Sequence, residues 1–198
     1  MSLKSCTRRG YILLLLLVFV CGCGCPGAAN QGNPEEENDP VTIQYMQWLE
    51  LGKTAIPELK KALEHTDWRM RSHALLAMGK TGEPSLAPLV AAQLEKDTEV
   101  AVKNCAVSAL GELKSPAALP QMISFLNKPA AGNPAAEVLV EALGHIGDPR
   151  AIPALIEVII NRDMTLASKA TEALIIMKNP AASSQLFARM AEVQAKGR

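Results

Sequence analysis

Aromatic side chains are scarce in this sequence, and its formal charge is balanced. Tryptophan, tyrosine and phenylalanine make up 4% of the 198 residues, which is little for a β-sandwich core or for a ligand pocket lined by rings. Twenty Lys and Arg residues balance 20 Asp and Glu residues, so no basic surface is expected to attract nucleic acid. We therefore expect no nucleic-acid partner. Hydrophobic residues, at 48%, suffice for a sizeable core and exclude wholesale disorder.

Signatures of catalysis and of metal binding are also missing. The histidines, His65, His73 and His145, fall in separate predicted segments, and none has a second histidine four residues away, as a zinc-binding helix would. Neither a phosphate-binding glycine loop nor a nucleophile elbow occurs. Glu137 and Glu141 resemble a carboxylate pair, but nothing marks a pocket around them. We therefore predict no catalytic residue, metal or cofactor, and we predict that the chain is not an enzyme.

The N-terminal segment has the pattern of an export signal. Three basic residues precede a continuous apolar run over residues 11–20, and the small-residue run CGCGCPG follows. The apolar run is about half of the roughly 20 residues that a membrane-spanning helix needs. We therefore predict that residues 1–22 are a signal peptide outside the fold. An ordinary secretory signal and an uncleaved membrane anchor remain as alternatives.

The run VCGC, which ends at Cys23, resembles the lipobox of bacterial lipoproteins. This resemblance implies that Cys23 receives a lipid, with Cys25 as the alternative. Gly24 after Cys23 is not the aspartate that signals inner-membrane retention, which favours the outer membrane of a bacterial envelope. Residues 23–40 contain a polar run rich in Pro, Gly, Asn and Glu, which predicts a flexible, lipid-anchored tether.

The rest of the chain, residues 41–196, is one motif repeated. Short apolar segments recur around an anchor position at intervals of 31, 32 and 33 residues. A second landmark, a glycine position, lies nine residues before the next anchor each time, so the junction between repeats is constant, as stacked repeats require. The anchors are Pro57, Pro88, Pro120 and Pro153, with Ser184 last, and the glycine positions are Gly79, Gly111, Gly144 and Ile175.

Each repeat is predicted to be a pair of helices. Apolar residues two and six places after each anchor share one helical face, and the anchor proline fits the first turn of the first helix. In the second helix, alanine recurs two places before the glycine position and, in three of the four repeats, five places before it, which allows close helix contact. We expect the glycines at this position to end the second helices in a left-handed conformation. Residues 41–51 are predicted to add a half-repeat helix at the N-terminal end.

The segment EALGHIGDPRAIPALIEVI, from Glu141 to Ile159, resembles a HEAT repeat of the phycobilisome-lyase type. Residues 70–90 and 102–122 match the same template, and Arg71 and Lys103 stand where this family usually carries arginine. The resemblance implies an all-α fold, an α-solenoid of about four to five stacked helix pairs. It also implies that the second helices line a concave face.

Two columns of the second helices are predicted to point into that face. They lie three and seven places before the glycine position, opposite the buried positions. The face then changes from neutral or basic, near Arg71 and Lys103, to acidic, and such a groove could orient a protein partner; an ordinary solvated surface is the alternative. The columns are Leu76, Ser108, Glu141 and Glu172, and Ser72, Asn104, Glu137 and Ser168.

Trp68 is a further candidate for partner binding. With Ser72 and Leu76 it forms a stripe on the predicted exposed side of the first repeat, and an exposed tryptophan could anchor a partner. The alternative is that Trp68 packs against Trp48 or Tyr45 of the N-terminal helix.

Three classes of function are compatible with these patterns. The leading hypothesis is a membrane-tethered, non-catalytic HEAT-repeat scaffold that binds a protein partner through its concave face. The resemblance supplies the alternative, a lyase-like or enzyme-accessory HEAT protein that acts on a protein-bound ligand, although export opposes the handling of newly made phycobiliproteins. The third class, a nucleic-acid-acting HEAT protein of the alkylpurine glycosylase kind, is opposed by the export signal and the lack of a basic cleft.

Overall fold

The computed structural model describes residues 39–196, and between these residues it contains helices and turns without a strand. The predicted signal peptide, Cys23, Cys25 and nearly all of the predicted tether lie outside the described residues. The helices are α1 (Pro40–Leu51), α2 (Ile56–Ala62), α3 (Trp68–Thr81), α4 (Ala87–Lys96), α5 (Val100–Glu112), α6 (Leu119–Asn127), α7 (Ala136–Ile146), α8 (Ile152–Asn161), α9 (Met164–Met177) and α10 (Pro180–Lys196).

These helices form two layers, which confirms the predicted all-α solenoid. The first helices of the repeats, α2, α4, α6, α8 and α10, form one layer. The second helices, α3, α5, α7 and α9, stack in sequence order in the other layer, with α1 added beside α3 as the predicted half-repeat. In this part of the chain, no helix is both long and apolar enough to cross a bilayer.

The anchor prolines lie in the first turns of α2, α4, α6 and α8. A proline there loses no hydrogen bond, because the first N–H groups of a helix have no partner within the helix. The apolar residues two and six places after each anchor then form the core. Leu59, Leu63, Val90, Leu94, Met122, Leu126 and Leu155 are all at most 2% exposed.

The glycines at the repeat junctions let the second helices approach closely. A Cβ atom on Gly79 or Gly111 would lie 3.0 Å from the Cα of the alanine in the next second helix, and one on Gly144 would lie 2.8 Å from the Cβ of Ala173. The prediction that these glycines end their helices is wrong, since each lies within its helix. The left-handed positions come about three residues later, at Gly82, Lys114, Gly147 and Lys178.

Candidate partner-binding surface and groove

The two predicted columns lie on α3, α5, α7 and α9, but only part of each is exposed. Glu137, Ser168 and Glu172 are exposed, and Leu76 and Glu141 are half-buried. The prediction of a continuous exposed face is wrong at three positions, since Ser72, Asn104 and Ser108 are only 5%, 6% and 8% exposed. These three lie on α3 and α5, each of which has a neighbouring helix of the same layer on both sides. The exposed Ser168 lies on α9, which has such a neighbour on one side only among the described residues.

Arg71 does not form a free basic end of the surface. Its guanidinium donates Nε–H to Asp97 Oδ2 at 2.7 Å and Nη2–H to Asp97 Oδ1 at 3.0 Å, and it also donates to the backbone oxygens of His65 and Thr66. The side chain of Asp97 is 3% exposed. Arg71 therefore ties the turn of its own repeat to the end of α4, and its charge is neutralised there.

Burial alone would raise the pKa of Asp97. The hydrogen bonds from Arg71, from the backbone N–H of Glu99 and from the Gln93 amide outweigh burial, so that the pKa of Asp97 lies below its ordinary value. The hydrogen bond to Asp97 likewise raises the pKa of Arg71. The pair is thus ionised at neutral pH and forms a charged clamp between the first two repeats, which we call the Arg71–Asp97 clamp.

Lys103 and Asn104 hold the loop of residues 128–135, where the third repeat is longest. Lys103 Nζ donates to the backbone oxygen of Gly132 at 2.8 Å. Asn104 Oδ1 accepts the backbone N–H of Ala135 at 2.8 Å, directly before α7 begins. Both side chains therefore have structural partners, which explains why Asn104 is buried and why Lys103 adds little free positive charge to the surface.

The acidic part of the surface is free of ion pairs. Glu137, Glu141 and Glu172 have no salt-bridge partner among the side chains that the structure describes. We call these three residues with Ser168 the acidic ridge. The surface was predicted to change from basic to acidic along the solenoid. In the structure its basic residues are neutralised or bound to backbone, and the free charge lies in the acidic ridge.

Trp68 is 36% exposed at the start of α3. Tyr45 and Trp48 of α1 were the alternative packing partners for Trp68. Both make contacts with other residues. Trp48 Nε1 donates to Glu58 Oε2 at 3.3 Å, and the Tyr45 ring lies 4.8 Å from the ring of His73. By its exposure, Trp68 is partly accessible at the N-terminal end of the second-helix layer.

A groove of about 340 Å³ opens at the carboxyl ends of α5, α7 and α9. This volume lies in the range of small-molecule sites, about 300–1,000 Å³. Its lining combines bare glycine backbone, charged or imidazole groups and two apolar side chains: Gly111, Glu112, Lys114, Gly144, His145, Gly147, Ile176 and Met177.

The groove is the continuation of a predicted column. Residues four apart share a helix face, so Glu112 follows Ser108, His145 follows Glu141, and Ile176 follows Glu172. The sequence patterns did not reveal it because the column was followed only as far as the glycine position, where the helices were expected to end. His145 directly follows the glycine position, where the second helix was expected to end, but it lies in the last turn of α7.

No group of three His, Cys, Asp or Glu side chains within residues 39–196 is arranged to hold a metal ion. Cys105, on α5, is buried with 1% exposure. His73 is also largely buried, and burial lowers its pKa. The titratable groups that remain accessible near the groove are Glu112, Lys114 and His145.

Together, the stacked helix pairs and the Gly–Ala junctions define a helical-repeat protein. The HEAT repeats family matches residues 37–100 and 56–139, which together cover more than half of the chain, and the PBS lyase HEAT-like repeat matches residues 136–161. The chain therefore belongs to the HEAT-repeat family.

The fold is similar to a solved structure, that of the complex of CpcE and CpcF of phycocyanin lyase from Nostoc sp. PCC7120. The TM-score is 0.58 at 24% sequence identity, and the match covers 79% of this chain and 70% of that one. No curated protein matches the sequence.

These comparisons contradict the prediction that the chain is not an enzyme. The solved structure is that of a lyase complex, and the third junction of the solenoid matches the repeat named for such lyases. The prediction rested on missing catalytic motifs, and a solenoid that presents its groups from several helices need not carry a contiguous motif. We therefore withdraw the non-catalytic assignment.

Proposed function

We propose that this chain is a lyase-like or enzyme-accessory HEAT protein that acts on a ligand carried by a partner protein. In this proposal the acidic ridge contacts the partner and the groove receives the ligand. The comparisons with lyase repeats and with a lyase complex support this function better than pure scaffolding.

The observation that carries the proposal is the continuity of the ridge and the groove. Glu137, Glu141 and His145 are spaced by four residues and share one face of α7, so an exposed and a half-buried carboxylate lead directly into the groove. On α9, Glu172 leads to Ile176 in the same way. A protein docked on the ridge would thus hold its ligand over the groove.

The charge of the ridge defines the surface of the partner. Three carboxylates without ion-pair partners favour a basic patch on the docking protein, and this attraction acts mainly on the association rate and on orientation. Ile176 and Met177 give one wall of the groove an apolar character, while His145 and Lys114 supply polar groups. Such a lining suits a ligand with an apolar body and acidic or hydrogen-bonding substituents.

Phycocyanin is the probe for a first test, because its own absorbance reports on its ligand. We expect the full chain to bind phycocyanin in a salt-sensitive manner and to change its absorption spectrum. Glu172→Lys should weaken binding by about tenfold, as the loss of a complementary charge pair allows. Glu95→Lys is the matched control, since Glu95 is an exposed carboxylate on α4 in the other layer.

The ligand site is tested separately by Ile176→Ser combined with His145→Ala. This double variant should bind phycocyanin as the wild type does but should no longer change the absorption spectrum of phycocyanin. If the wild type neither binds phycocyanin nor changes its absorbance, the lyase-like function toward this protein is refuted. Equal weakening by Glu172→Lys and Glu95→Lys would refute the role of the ridge.

We also propose that the domain works at a bacterial membrane, held there by a lipid on Cys23 or, alternatively, on Cys25. The support is the sequence pattern of residues 1–40, with the outer membrane favoured. Intact mass and membrane fractionation of the wild type beside Cys23→Ala test this proposal. A mature chain that begins at Cys23 and carries acyl groups is expected, and an unmodified wild-type chain outside the membrane fraction would refute it.

A further inference from the structure

The turns that follow the second helices share a backbone conformation but differ in residue type. In each turn one residue lies in the left-handed region, with φ values of 62° at Gly82, 50° at Lys114, 72° at Gly147 and 49° at Lys178. Glycine adopts this conformation freely, whereas the Cβ atom of any other residue meets a steric penalty there. The first and third turns avoid this penalty, and the second and fourth accept it.

The penalty at Lys114 is not offset by a structural contact of its side chain. A Cβ atom on Gly82 or Gly147 would meet no atom within 4 Å, so the space around these turns neither excludes a side chain nor offers it packing. Lys114 is exposed, and its ammonium has no salt-bridge partner in the part of the chain that the structure describes. Residues held in such strained conformations cluster at ligand-binding and active sites.

The two lysines differ in where they lie. Lys114 lines the groove at the carboxyl ends of α5, α7 and α9, and Lys178 does not. Strain alone therefore does not mark a site. The combination of a strained backbone, an unpaired ammonium and a place in the groove is found at Lys114, and Lys178 shares the strain without the groove.

Lys114 also decides the charge of the groove. Glu112, the carboxylate in the lining, accepts from Lys80 Nζ at 2.6 Å, so a residue outside the lining neutralises it. His145 is exposed and has no ion-pair partner among residues 39–196. Among the described residues that line the groove, Lys114 is thus the one permanent charge that is left unpaired.

The carboxyl end of α5 is closed by the turn that carries Lys114. Helix carboxyl ends hold partial negative charge, which would favour a cation in the groove. The backbone oxygen of Leu110 accepts the N–H of Ser115 at 3.1 Å, and that of Gly111 accepts the N–H of Lys114 at 3.0 Å. Because these oxygens are occupied, the Lys114 ammonium sets the sign of the charge that a ligand meets.

We propose that Lys114 makes the groove selective for amphipathic anions, which are ligands with an apolar body and one carboxylate, sulfonate or phosphate group. The Lys114 ammonium binds the anionic group through a charge-assisted hydrogen bond, and His145 offers a second donor. Ile176 and Met177 contact the apolar body. Because this selectivity rests on the proposed ligand role of the groove, it is tested with free small molecules and without phycocyanin.

Two fluorescent dyes that differ by one charged group are the probes. Anilinonaphthalenesulfonate has an apolar aromatic body and one sulfonate, and N-phenylnaphthylamine has the same body without the sulfonate. We expect the full chain to bind both dyes and to prefer the sulfonate. Lys114→Gly should weaken the sulfonate dye about tenfold, the value of one charge-assisted hydrogen bond, and should leave the neutral dye unchanged. Lys114→Arg keeps the charge and should retain the preference.

Lys178→Gly is the matched control, because it replaces an exposed lysine of the same backbone conformation outside the groove. It should bind both dyes as the wild type does. Both glycine variants should raise the midpoint of thermal unfolding by about 2–4 °C, since they relieve the left-handed backbone. A Lys114→Gly variant that is more stable but binds the sulfonate dye less well cannot owe its loss to unfolding. Ile176→Ser should weaken both dyes, which assigns them to the groove.

Several outcomes would overturn the proposal: a wild type that binds neither dye, equal sulfonate binding by the wild type and Lys114→Gly, equal weakening by Lys178→Gly, or dye binding that ignores Ile176→Ser. A parallel loss of both dyes in Lys114→Gly would do so as well, because it would indicate packing and not charge. The phycocyanin experiment fails independently. A chain that does not act on phycocyanin but shows the dye preference loses the lyase-like function and keeps the anion-selective groove.

Discussion

The two ends of the solenoid differ in how their apolar side chains are covered. At the N-terminal end α1 lies beside α3, and Tyr45 and Trp48 are only 7% and 3% exposed. At the C-terminal end Ile175 and Phe187 are 68% and 70% exposed. Terminal repeats of solenoids usually present a polar outer face, which keeps them soluble. Within the described residues, the N-terminal end is thus covered by its own aromatic side chains, while the C-terminal end keeps the exposed apolar side chains of an interior repeat.

The ends also differ in how neighbouring repeats are tied together. Eight places before the glycine position stand Arg71 and Lys103 in the first two repeats, but Ala136 and Ala167 in the last two. Arg71 and Lys103 each reach the following turn or loop. In the N-terminal half, charged side chains of the second helices thus tie neighbouring repeats together. In the C-terminal half the charged ties between repeats join first helices instead, from Arg189 to Glu157 and from Arg162 to the backbone oxygen of Leu126.

Removing the aromatic cap should have the largest effect on stability. Trp48→Ala is expected to lower the free energy of unfolding by about 3–5 kcal/mol, as for other buried tryptophans, since it also removes the hydrogen bond to Glu58. Phe187→Ala at the other end should change it by less than about 0.5 kcal/mol. Urea unfolding followed by circular dichroism measures both. Equal losses would mean that the two ends are not distinct.

Breaking the Arg71–Asp97 clamp should come next. Asp97→Asn keeps the shape of the side chain but leaves Arg71 without its counter-charge, at a cost of about 3 kcal/mol, the lower end for a broken buried pair. The control is Glu112→Gln, which breaks the exposed pair between Glu112 and Lys80 at 2.6 Å and should cost less than about 1 kcal/mol. A similar cost for both variants would contradict a special role of the buried clamp.

The clamp also makes stability depend on pH in a defined direction. The pKa of Asp97 is lower in the folded chain than its ordinary value of 3.8, so its contribution is complete above that pH and is lost as the pH falls through the folded pKa. The wild type should therefore lose stability faster than Asp97→Asn below about pH 4, and the two should converge in strong acid. Parallel pH profiles would show that Asp97 is not responsible.

The glycine junctions provide a third contrast along one column. In Gly144→Ala the new Cβ would lie 2.9 Å from the Cα of Ala173, and such overpacking costs about 1–3 kcal/mol. It outweighs the gain of up to about 1 kcal/mol from replacing glycine within a helix. Ile175→Ala, at the same position of the uncovered end, should have almost no effect. A stabilised Gly144→Ala variant would show that the junction tolerates wider spacing.

The fold could be predicted from the sequence because two landmarks, the anchor prolines and the glycine positions, recur in register with helical periodicity. The role of the glycines could not be settled in the same way. A glycine at the end of an apolar helical pattern suits both a left-handed helix end and a close helix contact, and the choice depends on the distance to a neighbour. The three-residue error at Gly144 then hid the groove around His145.

The site was harder to predict because the exposure of each side chain depends on which neighbouring helix or loop covers it. Ser72 and Ser108 occupy the same columns as Glu137 and Glu172, and the sequence spacing treats them alike. Asn104 is buried because it binds the start of α7 through a loop that differs in length between repeats. The apolar residues of α10, in contrast, are visible in the sequence, because Leu186 and Met190 occupy the apolar positions two and six places after the last anchor.

Asn104 and Ser168 offer the finest test, because they occupy the same column, but only Asn104 makes a hydrogen bond to the next repeat. Asn104→Ala removes the acceptor for the Ala135 N–H, which we expect to cost about 1 kcal/mol, the net value of one hydrogen bond. Ser168→Ala removes an exposed hydroxyl on α9 and should be neutral. Hydrogen exchange at the start of α7 should rise in the Asn104 variant alone. If both variants were neutral, the loop of residues 128–135 would be held by Lys103 alone, and the burial of Asn104 would follow from helix spacing and not from its hydrogen bond.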